Sequence, residues 1–442
     1  MPNRATYSEM AFHGMVNTIP PSKLKPGDLV DCQNFLIGNS GELLSRPGCE
    51  LKVSGTVHSV WSNGTVMFYR MGTGLYQYTS TGNSLLLRND IVQTRPVSYC
   101  NVGDTVYYCD GAINGVIKAG MNRSWGLPMP NGFNVTLTTG LLEAGLYRIT
   151  LSYLRFDLQQ SGNDVPIEVM VPEGGQGGIL INGITYPPDD SIIGVVVYVS
   201  PRYGKSLYRY GGYVPRGTSN INISQITNNL LHEVNVLSSM EEPPMGSLTG
   251  TLGGRVYIAN HNFLYYSEPY SYEHFGSFNF FVFEDPITMI APVSEGMFIG
   301  TTTATYWLLG LTPEPPFKRT QVAPYGVIKG TADFVTMAQY GGENGWLWSS
   351  TRGVCFGSET GLFKCLTEKD YVYPTPSTFE GAGIGFYSQG FLSYVSTMIY
   401  DTPAFNQYKS DTVGENTMPN VYINTGMLAG LTMPMITITA TA

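Results

Sequence analysis

One unit recurs along most of this chain: a short strand, a tight glycine turn, a strand of apolar and aromatic residues, another turn and a further strand. Its first copy, HSVWSNGTVMFYRMGTGLYQYT, runs from His58 to Thr79, and its second, VSYCNVGDTVYYCDGAINGVIK, from Val97 to Lys118. The turns at Asn63-Gly64 and Gly103-Asp104 use residues that tolerate the positive φ of a two-residue hairpin. Further copies span Ser247–Ser267, turning at Gly253-Gly254, and Ile287–Gly310, turning at Glu295-Gly296. Another spans Val335–Leu366, turning at Asn344-Gly345, and Gly383–Tyr400 begins a sixth. Starts lie about 40 to 50 residues apart, the spacing of four-stranded propeller blades. The expected fold is therefore all-β, a β-propeller of about six blades; an irregular sandwich or a pair of barrels is the competing reading.

The repeat is interrupted after Trp125-Gly-Leu-Pro-Met-Pro130. Within residues 131–240, Tyr147, Ile149, Leu151 and Tyr153 alternate with Leu146, Arg148, Thr150 and Ser152, which predicts a half-buried antiparallel strand. Ile192–Val199 is almost continuously apolar, as in a central strand. About 110 residues of short strands predict an inserted immunoglobulin- or fibronectin-like β-sandwich. The expected division is an extended N-terminal arm (1–50), a first propeller part (51–130), the sandwich (131–240), a second propeller part (241–400) and C-terminal strands or an arm (401–442). Ser224–Val236 predicts a connecting helix, with Ser224 as N-cap and Ile226, Leu230, Leu231 and Val234 on one face. Near the C-terminus, Val421–Thr425 and Ile436–Thr441 read as strands that either close the propeller or pair with a neighbouring subunit.

Composition narrows the function. Charged residues make up 13% of the chain, Tyr numbers 30, Gly 52 and Pro 28, a balance that suits many strands and turns rather than exposed helices. The net charge of −9 lacks the basic footprint of a tight nucleic-acid binder. No C-x-x-C pair occurs among Cys32, Cys49, Cys100, Cys109, Cys355 and Cys365. Cys100 with Cys109, and Cys355 with Cys365, are either facing pairs across hairpins or buried free thiols. The N-terminal residues have no apolar h-region, and no stretch reads as a membrane helix or anchor, so a chain kept in a cytosol is expected.

The motifs of catalysis are weak. Gly204-Lys205-Ser206 resembles the end of a phosphate loop, but the glycine needed five residues before Gly204 is Val199. His232-Glu233 lacks the second histidine of a zinc helix. Asp104 with Asp110, or Glu268 with Glu273, could form a glycosidase pair, a separation that sequence spacing cannot establish. Trp61, Trp307, Trp346 and Trp348 lie inside the repeats, where core packing competes with a sugar-stacking role. The expectation is a chain without enzymatic activity, metal or cofactor.

Residues 20–48 carry the most specific signal. Leu24, Pro26-Gly27, Asn34, Gly41 and Arg46-Pro47-Gly48 form an "L-x-PG … N … G-x-L-x-x-RPG" run. It resembles the N-terminal signature of tail and head-completion proteins of tailed bacteriophages, such as the tail nozzle (tubular B-type) proteins and the packaged-DNA stabilisation proteins. The resemblance implies a structural virion protein assembled in the host cytoplasm. It would form a ring, six copies favoured, around a channel through which DNA passes without specific binding, docking an adaptor and tail fibres or a needle. Asn34, Gly41, Arg46, Pro47 and Gly48 would then belong to an assembly arm. A glycan-binding or glycan-cleaving propeller, such as a virion depolymerase, is the alternative.

Overall fold

Short aromatic and β-branched runs between glycine turns favour strands, and the computed structural model of the chain is built of little else. It describes residues 11–30, 35–38, 40–45, 52–79, 82–92, 95–174, 177–227, 231–311, 318–336, 342–371, 380–388, 391–398 and 435–438. Among these the one helical element is the three-residue 3-10 turn Pro21–Lys23, and no helix is long and apolar enough to cross a membrane.

Six antiparallel sheets follow one another along the chain, most of them meanders of four strands in sequence order. The first holds Val57–Ser62, Met67–Met71, Gly74–Tyr78 and Ser84–Arg88, and the second Ser98–Val102, Thr105–Cys109, Asn114–Lys118 and Met121–Arg123. The third contains Leu248–Leu252, Arg255–Asn260, Phe263–Glu268 and Ser271–Val282, with the short Met240–Glu241 added at its far edge. The fourth contains Ile287–Val293, Gly296–Thr301, Thr305–Leu309 and Lys318–Ala323, and the fifth Asp333–Val335, Gly345–Ser350, Gly353–Ser358 and Phe363–Cys365. In the sixth, Gly381–Ser388 pairs with Phe391–Met398, which pairs in turn with Met435–Ile438. The expected strand Val421–Thr425 lies outside the described residues.

Consecutive sheets pack face to face, and a separate apolar cluster fills each gap. Phe68 and Leu75 of the first sheet meet Tyr99, Val106 and Tyr108 of the second. Tyr107 and Val116 meet Val256, Ile258 and Phe275 of the third. Tyr257 and Leu264 meet Ile290, Met297 and Ile299 of the fourth. Phe298 and Trp307 meet Trp348 and Cys355 of the fifth. Val335, Leu347 and Val354 meet Tyr394 and Met398 of the sixth. Because side chains alternate across a strand, Met297 and Ile299 face the third sheet while Phe298 faces the fifth. That is why Gly296–Thr301 is buried at every residue.

Between the second and third sheets the chain makes two further sheets that share one core. Asn134–Leu142, Gly177–Asn182 and Asn220–Ile223 form a three-stranded sheet. Ile167–Val171, Gly145–Arg155, Ile192–Val199, Tyr208–Pro215 and Leu231–Val234 form a five-stranded one, in that order. Ile179, Ile181 and Ile223 of the first pack against Ile149, Leu151, Val195 and Val197 of the second. Ile192–Val199 sits at the centre of its sheet, as its apolar run predicts. Gly145–Arg155 departs from the half-buried expectation. Thr150 and Ser152 are buried too, because Thr150 donates to Asp164 O and Asn163 donates to Ser152 Oγ.

The predicted helix over Ser224–Val236 is not formed. Leu231–Val234 is a strand paired with Tyr208 and Tyr210, and residues 228–230 lie outside the described set. The apolar residues that suggested a helical stripe are used differently: Ile226 and Leu231 pack at the margin of the two-sheet core. Pairing with an open sheet edge outweighs a weak local helix preference.

Asp333, on the first strand of the fifth sheet, joins it to the sixth by accepting a hydrogen bond of 2.7 Å from Gly385 N. Burial pushes this carboxyl up to about 6, and the hydrogen bonds from the Gly385 and Phe334 amides only partly oppose that. A carboxyl whose folded value is raised favours the fold below its unfolded value, near 4, and loses that contribution as pH rises through about 6. Asp333→Asn is therefore expected to raise stability at pH 7.5 by on the order of 1–3 kcal/mol and to change little at pH 4; denaturant unfolding at the two pH values measures the difference.

Candidate functional site

The seam between the second sheet, the two-sheet unit and the third sheet brings together Arg123, Arg155, Asp157, Glu273 and His274. Its entry is the segment Ser124–Leu127. Trp125 is buried with its ring 5.0 Å from Tyr107 and 6.3 Å from Phe275, and its Nε1 donates to Tyr272 O at 2.9 Å. Gly126 has φ +81°, and a Cβ there would meet Pro243 Cδ at 2.3 Å, so only glycine suits both the backbone and the space.

Arg155 ends the strand Gly145–Arg155 and is fully buried. Its guanidinium bonds Asp157 Oδ1 at 2.9 Å, Glu273 Oε1 at 2.5 Å and Ser124 O at 3.1 Å. Arg123 pairs with the same Asp157. Burial alone would lower Arg155, but Asp157 and Glu273 outweigh it and raise it. Burial likewise pushes Asp157 up, yet the hydrogen bond and charge of Arg155 hold it below the usual carboxylate range. Glu273 also accepts from Gly126 N at 3.1 Å, so one carboxylate ties the two-sheet unit and the linker to the third sheet. His274 adds a second tie. Its Nε2 lies 2.8 Å from Gln160 O and its Nδ1 2.7 Å from Ser271 Oγ. Only an Nε2–H can bond a carbonyl oxygen, and burial disfavours the imidazolium.

An open cleft of about 560 Å³ borders this seam, lined by Arg88, Asn114, Asn122, Arg123, Phe156 and Asp189 among others. Arg88 is held by Asp90 at 2.6 Å and by Tyr108 Oη at 2.7 Å, and Tyr108 Oη donates to Asn122 Oδ1 at 2.6 Å. Asn114 Nδ2 donates to Pro244 O at 2.8 Å, which fixes the orientation of the amide; its buried Oδ1 has no hydrogen-bond partner. Phe156 is half exposed, with the Arg123 guanidinium 5.8 Å from its ring centre. The site is a polar cleft with one aromatic wall and internally balanced arginines.

Of the proposed arm residues, Asn34, Arg46, Pro47 and Gly48 lie outside the described set. Gly41 lies within it, buried at φ +79° against Ala11, and its carbonyl accepts from Phe12 N at 2.8 Å. The surrounding arm forms short pairings, Gly14–Met15 with Asp28–Leu29 and Phe35–Ile37 with Leu43–Ser45. It is seated far along the chain: Asn17 N donates to Asp370 O and Thr18 Oγ1 to Lys369 O, both at 2.9 Å.

The other candidates serve the fold. Asp110 is buried and accepts from the amides of Val92, Ala112 and Ile113. Glu268 accepts from Asn279, and Glu273 belongs to Arg155. Gly204 accepts from Arg148 in a turn that feeds the strand Tyr208–Pro215, not a helix. Trp307 and Trp348 are buried, and Trp61 stacks on Tyr99 at 5.8 Å. Cys100, Cys109, Cys355 and Cys365 are free thiols. Cys100 opposes Tyr107, and Cys109 opposes Ser98, so that first pair does not face; Cys355 does oppose Cys365. Cys32 and Cys49 lie outside the described residues. Among the described residues no group of three His, Cys, Asp or Glu is placed to hold a metal.

The sequence reading missed the Arg155–Glu273 tie. Its signal was present: Arg155 continues the odd-numbered apolar face of Tyr147, Ile149, Leu151 and Tyr153, where a charge must find a partner on burial.

No family model and no curated protein matches the chain. Among solved structures it is similar to Sqt1 of Saccharomyces cerevisiae, at 11% identity over 73% of this chain and 100% of that one, with a TM-score of 0.17. A likeness of that size carries no argument about fold or function.

Removing one partner of a buried ion pair leaves the other uncompensated, at about 3–5 kcal/mol. Arg155→Met is expected to destabilise the chain by about that amount, and adding Glu273→Gln to restore part of it; chemical unfolding of the two single variants and the double variant tests the coupling. Excision of residues 131–240 with a short linker is expected to leave a soluble, folded remainder, because the cut removes Arg155 with the separately cored unit and leaves Glu273 open to water. Loss of a cooperative unfolding transition in the remainder would show that the two segments share one core.

Proposed function

We propose that this chain is a structural subunit of a bacteriophage tail, a nozzle or hub that forms a ring around the DNA-ejection channel. In this reading the six successive sheets are propeller blades, and the two-sheet unit is a sandwich inserted between the second and third. The observation that carries it is the run Leu24, Pro26-Gly27, Asn34, Gly41, Arg46-Pro47-Gly48, which resembles the signature of those proteins. The layout supports it: short meander sheets interrupted once, after Trp125, by a separately cored unit. The partners are further copies of the chain, six favoured, an adaptor protein, and fibres or a needle. The location is the virion.

The cleft favours a second reading, a glycan-binding propeller. Its half-exposed Phe156 could stack on a sugar face, and Asn114, Asn122 and Asp189 would supply planar polar groups beside it. Electron microscopy of the purified assembly separates the two. A closed ring with a lumen wide enough for duplex DNA is expected of the nozzle, and a lone subunit that binds oligosaccharide, losing it on Phe156→Ala, of the second.

Subunits of net charge −9 set a condition on the channel. DNA must slide past without sticking, and each Lys or Arg that neutralises a phosphate adds a salt-dependent attraction. The lumen is expected to be neutral or negative. The purified assembly is then expected to bind duplex DNA no more tightly than about 10⁻⁴ M at physiological salt, the weak limit of non-specific binding. Tight binding in a mobility or fluorescence titration would contradict this.

A further inference from the structure

Cys355 and Cys365 are direct partners across adjacent antiparallel strands of the fifth sheet. Leu366 N donates to Val354 O at 2.7 Å, and Ser358 N to Leu362 O at 2.9 Å. Hydrogen-bonded and non-hydrogen-bonded pairs alternate along such a ladder, so Cys355 and Cys365 occupy a non-hydrogen-bonded pair. Its Cα atoms stand about 4.5 Å apart, within the range of about 4.4–6.8 Å that a disulfide spans. Both side chains lie on one face, against the cluster of Phe298, Trp307 and Trp348. Cys355 is fully buried, whereas Cys365 is only half-buried on the last strand of the sheet. The two thiols thus differ in what can reach them.

The strand bearing Cys365 leads straight into the seat of the N-terminal arm. Thr367 Oγ1 accepts from Val354 N at 3.0 Å. The turn that follows is closed by Asp370 N and Tyr371 N, which donate to Thr367 O at 3.1 and 2.8 Å. The carbonyls of Lys369 and Asp370 in that turn are the ones that hold Thr18 and Asn17. The edge strand Phe363–Cys365 leads into this seat, and Leu366 and Tyr371 pack against the apolar cluster of Val335, Leu347 and Val354.

We propose that Cys355 and Cys365 are an oxidisable pair which a low-molecular-weight disulfide converts to a cross-strand disulfide, fastening the edge strand and with it the seat of the arm. Cys365 Sγ, as thiolate, attacks one sulfur of the small disulfide; that S–S bond breaks, and one thiolate leaves and takes up a proton. Cys355 Sγ then attacks Cys365 Sγ in the mixed disulfide, passing its proton to the second departing thiolate. Two protein thiols are oxidised and one small disulfide is reduced to two thiols. The electrostatics suit these roles. The hydrogen bond from Cys355, then that from Tyr325, hold the Cys365 thiol down at about 7 against its partial burial, while burial pushes Cys355 up. The nucleophile is the thiol that solvent can approach. Cys100 and Cys109 are buried, raised by burial and unpaired with each other, so they lack both features.

The test uses the full chain and glutathione disulfide under native conditions, with remaining thiols alkylated before digestion. Trypsin cuts after Arg352, Lys364 and Lys369 and so separates the two cysteines. The expected product is a disulfide-linked peptide pair, 353–364 with 365–369. Cys355→Ser is expected to stop at glutathione on Cys365, and Cys365→Ser to leave Cys355 unmodified. Amide exchange over 365–371 and 14–18 is expected to slow on oxidation of the wild type and to be unchanged in either variant. Absence of the linked peptides, or wild-type chain ending as a stable glutathione adduct, would overturn the pair; linked peptides without slower exchange over 365–371 would overturn its action on the seat.

Discussion

A sheet with apolar side chains on both faces cannot stand in water alone, and this constraint organises the chain. Met297 and Phe298 are neighbours in sequence, yet they belong to different cores, one shared with the third sheet and one with the fifth. Burying a side chain of this size stabilises by about 1.5–3 kcal/mol, a gain available only when a sheet lies on each side. Each sheet therefore specifies its neighbours. The same logic accounts for the nearly unbroken apolar strands and for the scarcity of charge.

The two-sheet unit follows another logic. Among the described residues its apolar clusters are made within residues 127–231. Position is set instead by polar contacts that tolerate little displacement. Arg155 reaches Ser124 behind it and Glu273 in the third sheet, and His274 reaches the Gln160 carbonyl. A buried guanidinium satisfied from three directions has one acceptable geometry, because each lost partner leaves a desolvated charge. The cleft beside Phe156 and Asn114 exists because these ties hold two surfaces close without fusing their cores. The N-terminal segment meets the turn 367–371 through polar contacts too, with Asn17 N and Thr18 Oγ1 donating to the carbonyls of Asp370 and Lys369.

Much of the fold was legible in local pattern. The turns at Asn63-Gly64, Gly103-Asp104 and Gly253-Gly254 lie between paired strands as expected. Ile192–Val199 became the central strand its composition implied. The failure at Ser224–Val236 is equally physical. Its i, i+4 spacing of apolar residues is real, but the edge of Tyr208–Pro215 offered backbone hydrogen bonds that Leu231–Val234 took up. Facing pairs and buried free thiols were both open for each cysteine pair in the sequence; the register sets Cys355 opposite Cys365 and separates Cys100 from Cys109, which spacing could not give.

The sequence by itself determined that the chain is all-β, where most strands begin and turn, and that the pattern breaks after Trp125, because those properties follow from side-chain alternation and glycine turns within a few residues. It also carried the run from Leu24 to Gly48, a matter of residue identity alone. Only the tertiary structure decided that Arg155 pairs with Glu273, that Asn114 leaves one amide oxygen unused beside a cleft, and that the arm rests on the turn beyond Cys365. Those partners stand 118 residues apart for Arg155 and Glu273 and 351 apart for Thr18 and Lys369. No local preference encodes such distances; they follow from how apolar faces stack and which polar groups are then left within reach of one another.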